Sequence, residues 1–343
     1  MAPPSTDWKE TIPAGEAAVF EGYAGALREM QRRAAVGGKP ARALHAKGWA
    51  ATAEFTVLPD LPPYARHGLF AAPATYGAYV RYSNGAGARQ ADGKGDVRGV
   101  AIKVVGVEGK KVIAGMENAR TQDFLLIRTP ALPFRDAHEF VKVVTAATNP
   151  LLLLPRVIGR LGVGRTLGLL PKLARSIASP ALSVATAGYF SAAAIRCGDH
   201  AVRYSLVPQA TDAPAKPGTS SDYLREELAA RLKRGPVVYD MRLQFYVDAV
   251  KTPIEDFSVE WLEADAPPVT VARLTLSRQD TASTRGQRIA EYVESLSFDP
   301  WHALEAHRPL GNIMRARNHA YRLSTIERGA IAEPDGSERF EAP

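Results

Sequence analysis

YVRYSNGAGARQADGKGDVRGVAIK, residues 79–103, decides how the chain is read. At its start Val80 and Tyr82 point one way and Arg81 and Ser83 the other, the two-residue period of a half-buried strand. GAGARQADGKG, from Gly85, then reads as a flexible polar loop, and VRGVAIKVVGV resumes as a strand. The glycines lack the frame of a phosphate-binding loop and no helix follows them, so that function is set aside. Outward from this pair, ATAEFTVLP from Ala50 and DFLLIRTP from Asp123 read as strands, as do HAVRYSLVP, PVVYDMRLQFYVDAV and VARLTLSRQ farther on.

Helical spacing occupies the intervals. It covers residues 14–36, closed by Gly37-Gly38-Lys39-Pro40; residues 135–150, with Phe140, Val141, Val143 and Val144 as the buried side; and SDYLREELAARLKRG from Ser221. It returns from Trp301 to about Gly329, after which IAEPDGSERFEAP reads as a loose tail. Regular strand–helix alternation is absent. The pattern predicts an α+β chain: an antiparallel barrel or sandwich decorated by helices. We expect residues 1–40 to form a helical arm and residues 41–343 the barrel and its C-terminal helical segment.

The 343 residues are 46% hydrophobic and 23% charged, with a mean hydropathy of -0.15, which excludes a disordered or fibrous chain. A formal charge of +7 favours anionic partners. The positive residues are dispersed without an aromatic–basic signature, and no nucleic acid is expected. A single cysteine, Cys197, excludes an intrachain disulfide, a cysteine zinc site and a thiolate iron–sulfur cluster, and suits a reducing, cytoplasmic setting. MAPPSTDWKE has no signal-peptide character. Residues 151–180, LLLLPRVIGRLGVGRTLGLLPKLARSIASP, are apolar but broken by Pro155, Arg156, Arg160, Arg165 and Lys172, too often for a membrane span. The preferred reading is of helices with one face packed on the body and one face basic; association with an anionic membrane surface is the alternative.

RARNHAY, residues 315–321, sets Arg317 and Tyr321 one helical turn apart. The plain reading is a surface pair. The sharper one is a guanidinium holding a phenolate, an arrangement that only a bound metal rewards. RALHAKGWAATAEF from Arg42, the stretch from Tyr79 and PLGNIMRARNHAY from Pro309 choose between them. Taken in order, they resemble the haem catalase family. Arg42, His45, Ala46, Lys47 and Gly48 match its distal-histidine segment; Val80, Arg81, Tyr82 and Ser83, then Asp96, Arg98, Gly99, Ala101 and Lys103, match its next block; Arg317 and Tyr321 match its proximal Arg-x-x-x-Tyr. The shape resembles the small catalase-related peroxidases.

The resemblance implies a catalase-type β-barrel with flanking helices and haem b with ferric iron. It implies Tyr321 as the metal ligand and Arg317 as the group that stabilises the phenolate. His45 would be the acid–base residue, with Ser83 accepting a hydrogen bond from the imidazole's other nitrogen. Arg42 and Arg81 are the natural partners of the two propionates, because guanidinium binds carboxylate in a bidentate manner. Two departures stand out. Leu126, Ile127, Arg128, Thr129 and Pro130 fall where the family carries Asn-Asn-Thr-Pro, so its distal asparagine is missing, and Leu132 and Pro133 replace a Phe pair. Little chain follows Tyr321, leaving no room for the usual C-terminal helical domain. The expected activity is reduction of hydrogen peroxide or an organic hydroperoxide, with a small organic electron donor or a lipid hydroperoxide as partner and a homodimer as the assembly. The alternatives are a fatty-acid hydroperoxide rearrangement of the allene oxide synthase kind and a non-enzymatic haem-binding protein.

Overall fold

The computed structural model describes residues 4–35, 42–148, 150–177, 181–338 and 340. Among these residues, nine strands form one antiparallel sheet: β1 Gly48–Val57, β2 Ala74–Asn84, β3 Arg98–Val105, β4 Thr121–Ile127, β5 Tyr189–Phe190, β6 Ile195–Cys197, β7 His200–Pro208, β8 Val237–Phe245 and β9 Val269–Leu276. The order is β5-β4-β3-β2-β1-β9-β8-β7-β6, and β5 also pairs with β7, so the sheet closes on itself with β6 left outside the ring. Closure removes the exposed edges that an open sheet of this length would carry. Of the barrel or sandwich that alternation predicts, the fold observed is the barrel, as the family resemblance implies.

Its interior is filled by side chains. Phe55 and Phe124 stack with centroids 5.9 Å apart, and the hydroxyls of Tyr189 and Tyr239 both donate to the Val184 carbonyl, at 2.9 and 2.8 Å. Val80 and Tyr82 point into this core, as the alternation predicts, so any sizeable ligand must lie against the outer wall. Arg81 and Ser83 project onto that wall.

Among the described residues, seven helices pack outside. They are α1 Glu16–Ala34, α2 Ala137–Ala146, α3 Leu153–Leu161, α4 Val163–Ile177, α5 Tyr223–Arg234, α6 Thr284–Ser295 and α7 Asn312–Arg328. α1 runs along α7, tied by Gln31 Nε2 to the Ser324 carbonyl at 3.2 Å and by an Arg32–Glu327 ion pair at 2.7 Å. Residues 37–40, read as its stop, lie outside the described residues.

Several expectations change. The last helix begins at Asn312 and not at Trp301, because Pro309 interrupts the segment and a single 3-10 turn, Glu305–His307, occupies part of it. α6 is absent from the sequence reading; it is capped by Ser283, whose hydroxyl accepts from Gly286 N at 3.1 Å. On α2, Val144 is only half-buried, whereas Glu139 is buried, held by Arg135 and Arg165.

The glycine loop is anchored rather than flexible: Asp92 is fully buried, bound to Lys47 at 2.7 Å and to Leu224 N at 3.0 Å. The tail is anchored as well. Glu333 bonds buried Lys103 at 2.6 Å beside Asp123 at 2.7 Å, and Phe340 packs on Tyr79 with centroids 4.8 Å apart. Burying Lys103 is tolerable only because two carboxylates meet it.

Candidate haem site

A cavity of about 260 Å³ lies between the outer wall of β2–β4 and helices α1, α2 and α7. Strand register builds its floor. Ser83 pairs with Gly99 and Gly99 with Ile127; in the next row Arg81 pairs with Ala101 and Ala101 with Leu125. The small residues of β3 keep the wall low between larger neighbours. A Cβ on Gly99 would come within 3.2 Å of His45 Cε1, so a side chain there would crowd the imidazole.

His45 precedes β1 on a loop. Its Nδ1 lies 2.9 Å from Ser83 Oγ, and it lines the cavity together with that serine. Its φ of 58° falls in the left-handed region, which costs about 1–2 kcal/mol for a residue with a Cβ. Three contacts hold it there: His45 N to the Gly85 carbonyl at 3.1 Å, Ala46 N to the Ala86 carbonyl at 3.1 Å, and Arg81 Nη2 to the His45 carbonyl at 3.0 Å. The anchored glycine loop thus sets the imidazole. Burial, with the positive charges of Arg81, Arg317 and Arg42, pushes its pKa down to about 3.

This depression has a stability consequence. His45 binds a proton below about 6.5 in the unfolded chain but only near 3 in the fold. Its contribution is therefore complete above 6.5 and is lost as pH falls toward 3. The melting temperature of the protein without added haem should drop over that window, and His45→Gln should flatten the drop by on the order of 3 kcal/mol at pH 4. Parallel wild-type and variant pH profiles would contradict the placement.

Helix α7 supplies the opposite wall. Arg317, Tyr321 and Arg328 recur at spacings of four and seven, the period of one helix face, and all line the cavity. Arg317 Nη2 donates to the Tyr321 hydroxyl at 2.9 Å, with the guanidinium carbon 5.0 Å from the ring centroid. Burial works to lower the Arg317 pKa, but Tyr321, Tyr204 and Asp299 outweigh it and keep the group charged. The pair is not a surface contact.

Arg42 and Arg81 also line the cavity, and both already meet a protein carboxylate: Glu294 of α6, at 3.1 Å from Arg42 Nε and 3.0 Å from Arg81 Nε. Gly48 makes this possible, since a Cβ there would sit 2.5 Å from Arg81 Nη2. Arg328 joins them, donating to the carbonyls of Glu294 and Leu296 at 3.3 and 3.2 Å, with its Nε buried and unpartnered among the described residues. Burial and the nearby positive charge of Arg42 press the Arg328 pKa down to about 9. Arg42 and Arg81 thus share the Glu294 carboxylate, while Arg328 reaches only backbone carbonyls beside it, leaving a surplus of positive charge beside an apolar cavity. A flat, largely apolar group carrying two carboxylates would neutralise that surplus. With the Tyr321 oxygen facing the same cavity as an oxygen donor of the kind that takes ferric iron, the residues present fit haem.

Five of the predicted residues, His45, Ser83, Arg42, Arg81 and Arg317, are thereby brought to one cavity with Tyr321. Glu294 and Arg328 were not read from the sequence. The signal for Glu294 was the Ser283 cap followed by Ile289, Ala290 and Val293 at helical spacing; for Arg328 it was the seven-residue step from Tyr321.

Comparison with known proteins bears on the fold and the family. The sequence model of the Catalase family matches residues 26–150. A catalase-related peroxidase of Mycolicibacterium paratuberculosis (strain ATCC BAA-968 / K-10) is 33% identical over 313 residues, covering 85% of this chain and 92% of that protein. Among solved structures, a bacterial catalase superposes with a TM-score of 0.66 at 19% identity, over 96% of this chain and 63% of that one. A fungal catalase gives 0.67 at 18% identity over 96% and 66%, and catalase A from Saccharomyces cerevisiae 0.66 at 17% identity over 96% and 67%. The chain therefore spans about two thirds of the length of these solved catalases. Together with the barrel and the paired His45–Ser83 and Arg317–Tyr321 contacts, the similarity to the mycobacterial protein places this chain in the catalase superfamily, to which it belongs.

Proposed function

We propose that the protein is a haem-dependent peroxidase that reduces organic hydroperoxides and hydrogen peroxide, taking electrons from a small organic donor. The observation that carries the reading is the convergence on one cavity of two hydrogen-bonded pairs, His45–Ser83 and Arg317–Tyr321, each at 2.9 Å. Tyr321 would hold the iron of haem b, Arg317 would stabilise the phenolate, and Arg42, Arg81 and Arg328 would meet the propionates. The bound haem would supply the iron that receives a peroxide and the electrons that its reduction needs.

His45 supplies the proton chemistry. With Nδ1 donating to Ser83 Oγ, the lone pair of Nε2 is left for the cavity, and a pKa near 3 keeps the ring neutral at working pH. Nε2 can then take the proton from the inner peroxide oxygen and return it to the outer one, which leaves as alcohol or water. The positive φ and its three supporting contacts hold the imidazole ready for both transfers.

The distal wall decides the balance between activities. Leu125, Leu126 and Ile127 line the cavity where an asparagine would orient a second hydrogen peroxide, and Leu132, Phe140 and Val141 extend the same apolar surface. This wall favours a substrate with an organic tail and leaves oxygen-evolving dismutation weak. It also suits rearrangement of a fatty-acid hydroperoxide, the second reading.

The test is a turnover panel on haem-loaded protein: hydrogen peroxide, cumene hydroperoxide and a fatty-acid hydroperoxide, each with and without a phenolic donor. Donor oxidation exceeding oxygen release at least tenfold is expected. Donor-independent conversion of the fatty-acid hydroperoxide to an allene oxide, with one peroxide oxygen kept as the epoxide and the other released as water, would favour the rearrangement, and no turnover of any peroxide would overturn both readings.

A further inference from the structure

The helix pair α3–α4 is joined to the body through α2. Lys142 Nζ donates to the Arg160 carbonyl at 2.8 Å, Arg160 Nη1 donates to the Lys142 carbonyl at 2.8 Å, and Arg165 Nε reaches Glu139 at 2.7 Å. Val157 and Leu169 turn inward onto Val143 and Ala146. The opposite face departs from the sequence expectation of a merely basic surface. Leu154, Val163 and Leu167 are 47%, 58% and 63% exposed, and Leu151, Leu152 and Leu170 are exposed beside them. Among the described residues, six of the thirteen large hydrophobic side chains that stand exposed fall within residues 151–170. So dense an apolar patch on one helix pair is not incidental surface.

Charge narrows the choice of what covers it. No acidic residue occurs between Glu139 and Asp199, while Arg156, Arg160, Arg165, Lys172 and Arg175 lie within the pair. Arg156, Lys172 and Arg175 have no acidic partner among the described residues. A second copy docked face to face here would oppose these cations with the same cations. Leucines interleaved with lysine and arginine suit an anionic lipid surface, where the apolar side chains enter the interface and the cations meet headgroup phosphates. α4 is too short and too charged to cross, and no described helix is long and apolar enough to do so.

We propose that α3–α4 docks the protein onto anionic membranes. The other side of α2 carries Phe140 and Val141 into the cavity, so docking sets the bilayer one helix away from the apolar distal wall. Lipid hydroperoxides would then be the substrates at hand, a consequence that rests on the peroxidase reading; the docking itself does not.

The experiment is co-sedimentation of the haem-loaded full chain with vesicles of phosphatidylcholine alone and of phosphatidylcholine with phosphatidylglycerol in equal parts, at low and high salt. Binding to the anionic vesicles alone, weakened by salt, is expected. Lys172→Glu with Arg175→Glu should weaken it at least about tenfold, given the per-residue attraction of basic groups to such surfaces. Leu154→Ser with Leu167→Ser should weaken it at low and high salt alike, with the melting temperature of both variants held as the control for folding. Equal sedimentation with and without phosphatidylglycerol, or wild-type binding by the charge-reversed variant, would overturn the proposal. So would a protein that is dimeric without vesicles and becomes monomeric in the serine variant, since a second copy would then cover the face. Sedimentation reads lipid and not turnover: vesicle binding without peroxide consumption would sink the peroxidase reading and leave the docking surface intact.

Discussion

Tyr321→Phe folds but does not retain haem. The substitution keeps the ring, its packing on α7 and the 5.0 Å contact with Arg317, and removes only the oxygen that Arg317 holds at 2.9 Å. Loss of an outer-shell partner typically weakens metal binding 10–100-fold, and loss of the donor atom itself should exceed about 100-fold. Arg317→Gln, which deletes the charge and spares the phenol, belongs in the lower range. Haem titration followed by absorbance, with the melting temperature as control, checks both. Wild-type haem content and an unchanged spectrum in Tyr321→Phe would mean that another residue holds the iron.

His45→Ala gives the complementary result, with haem retained and peroxide chemistry slowed by about 10²–10⁴-fold, the scale of positioned acid–base help. The expectation rests on Nε2 being free while Nδ1 is held by Ser83, and on a ring that burial and three arginines keep neutral. Ser83→Ala should cost less, because the backbone contacts that fix His45 survive it. Stopped-flow mixing with peroxide reads the first spectral change directly. Equal rates in wild type and His45→Ala would remove the imidazole from the mechanism. The two variants therefore separate along different axes, one in haem affinity and one in rate.

The parts of this site that a sequence can disclose are those governed by local periods. Arg317 and Tyr321 are legible because i and i+4 share a helix face, and Arg81 and Ser83 because alternate strand residues share a wall. The strands were legible for the same reason, from runs such as residues 79–84 and 271–276, whereas their closure into a barrel and not a sandwich was implied only by the family resemblance. Glu294 was not. It meets Arg81 across 213 residues of chain, from a helix whose residue pattern is short and mostly polar. Without it, the arginines looked fully available to propionates; with it and Arg328, part of the positive charge is met by protein and the surplus still favours an anionic group.

Burial of a turn is equally invisible to composition. GAGARQADGKG reads as a mobile polar loop, yet Asp92 within it is enclosed by Lys47, Asn84 and the start of α5, because the partners come from segments distant in the chain. The tail shows the same effect through Glu333, which meets Lys103 across 230 residues. On α3–α4, periodicity shows that leucines and arginines alternate around the helices but cannot show how many leucines find protein to cover them. That number depends on how much of the pair α2 can reach.

Resonance Raman spectroscopy of the haem-loaded wild-type protein, excited in the phenolate-to-iron charge-transfer region, tests the account at its centre. Enhanced ring modes of an iron-bound phenolate, lost in Tyr321→Phe, are the predicted result. Failure to take up haem, or a spectrum carrying only imidazole or water ligation, would contradict it.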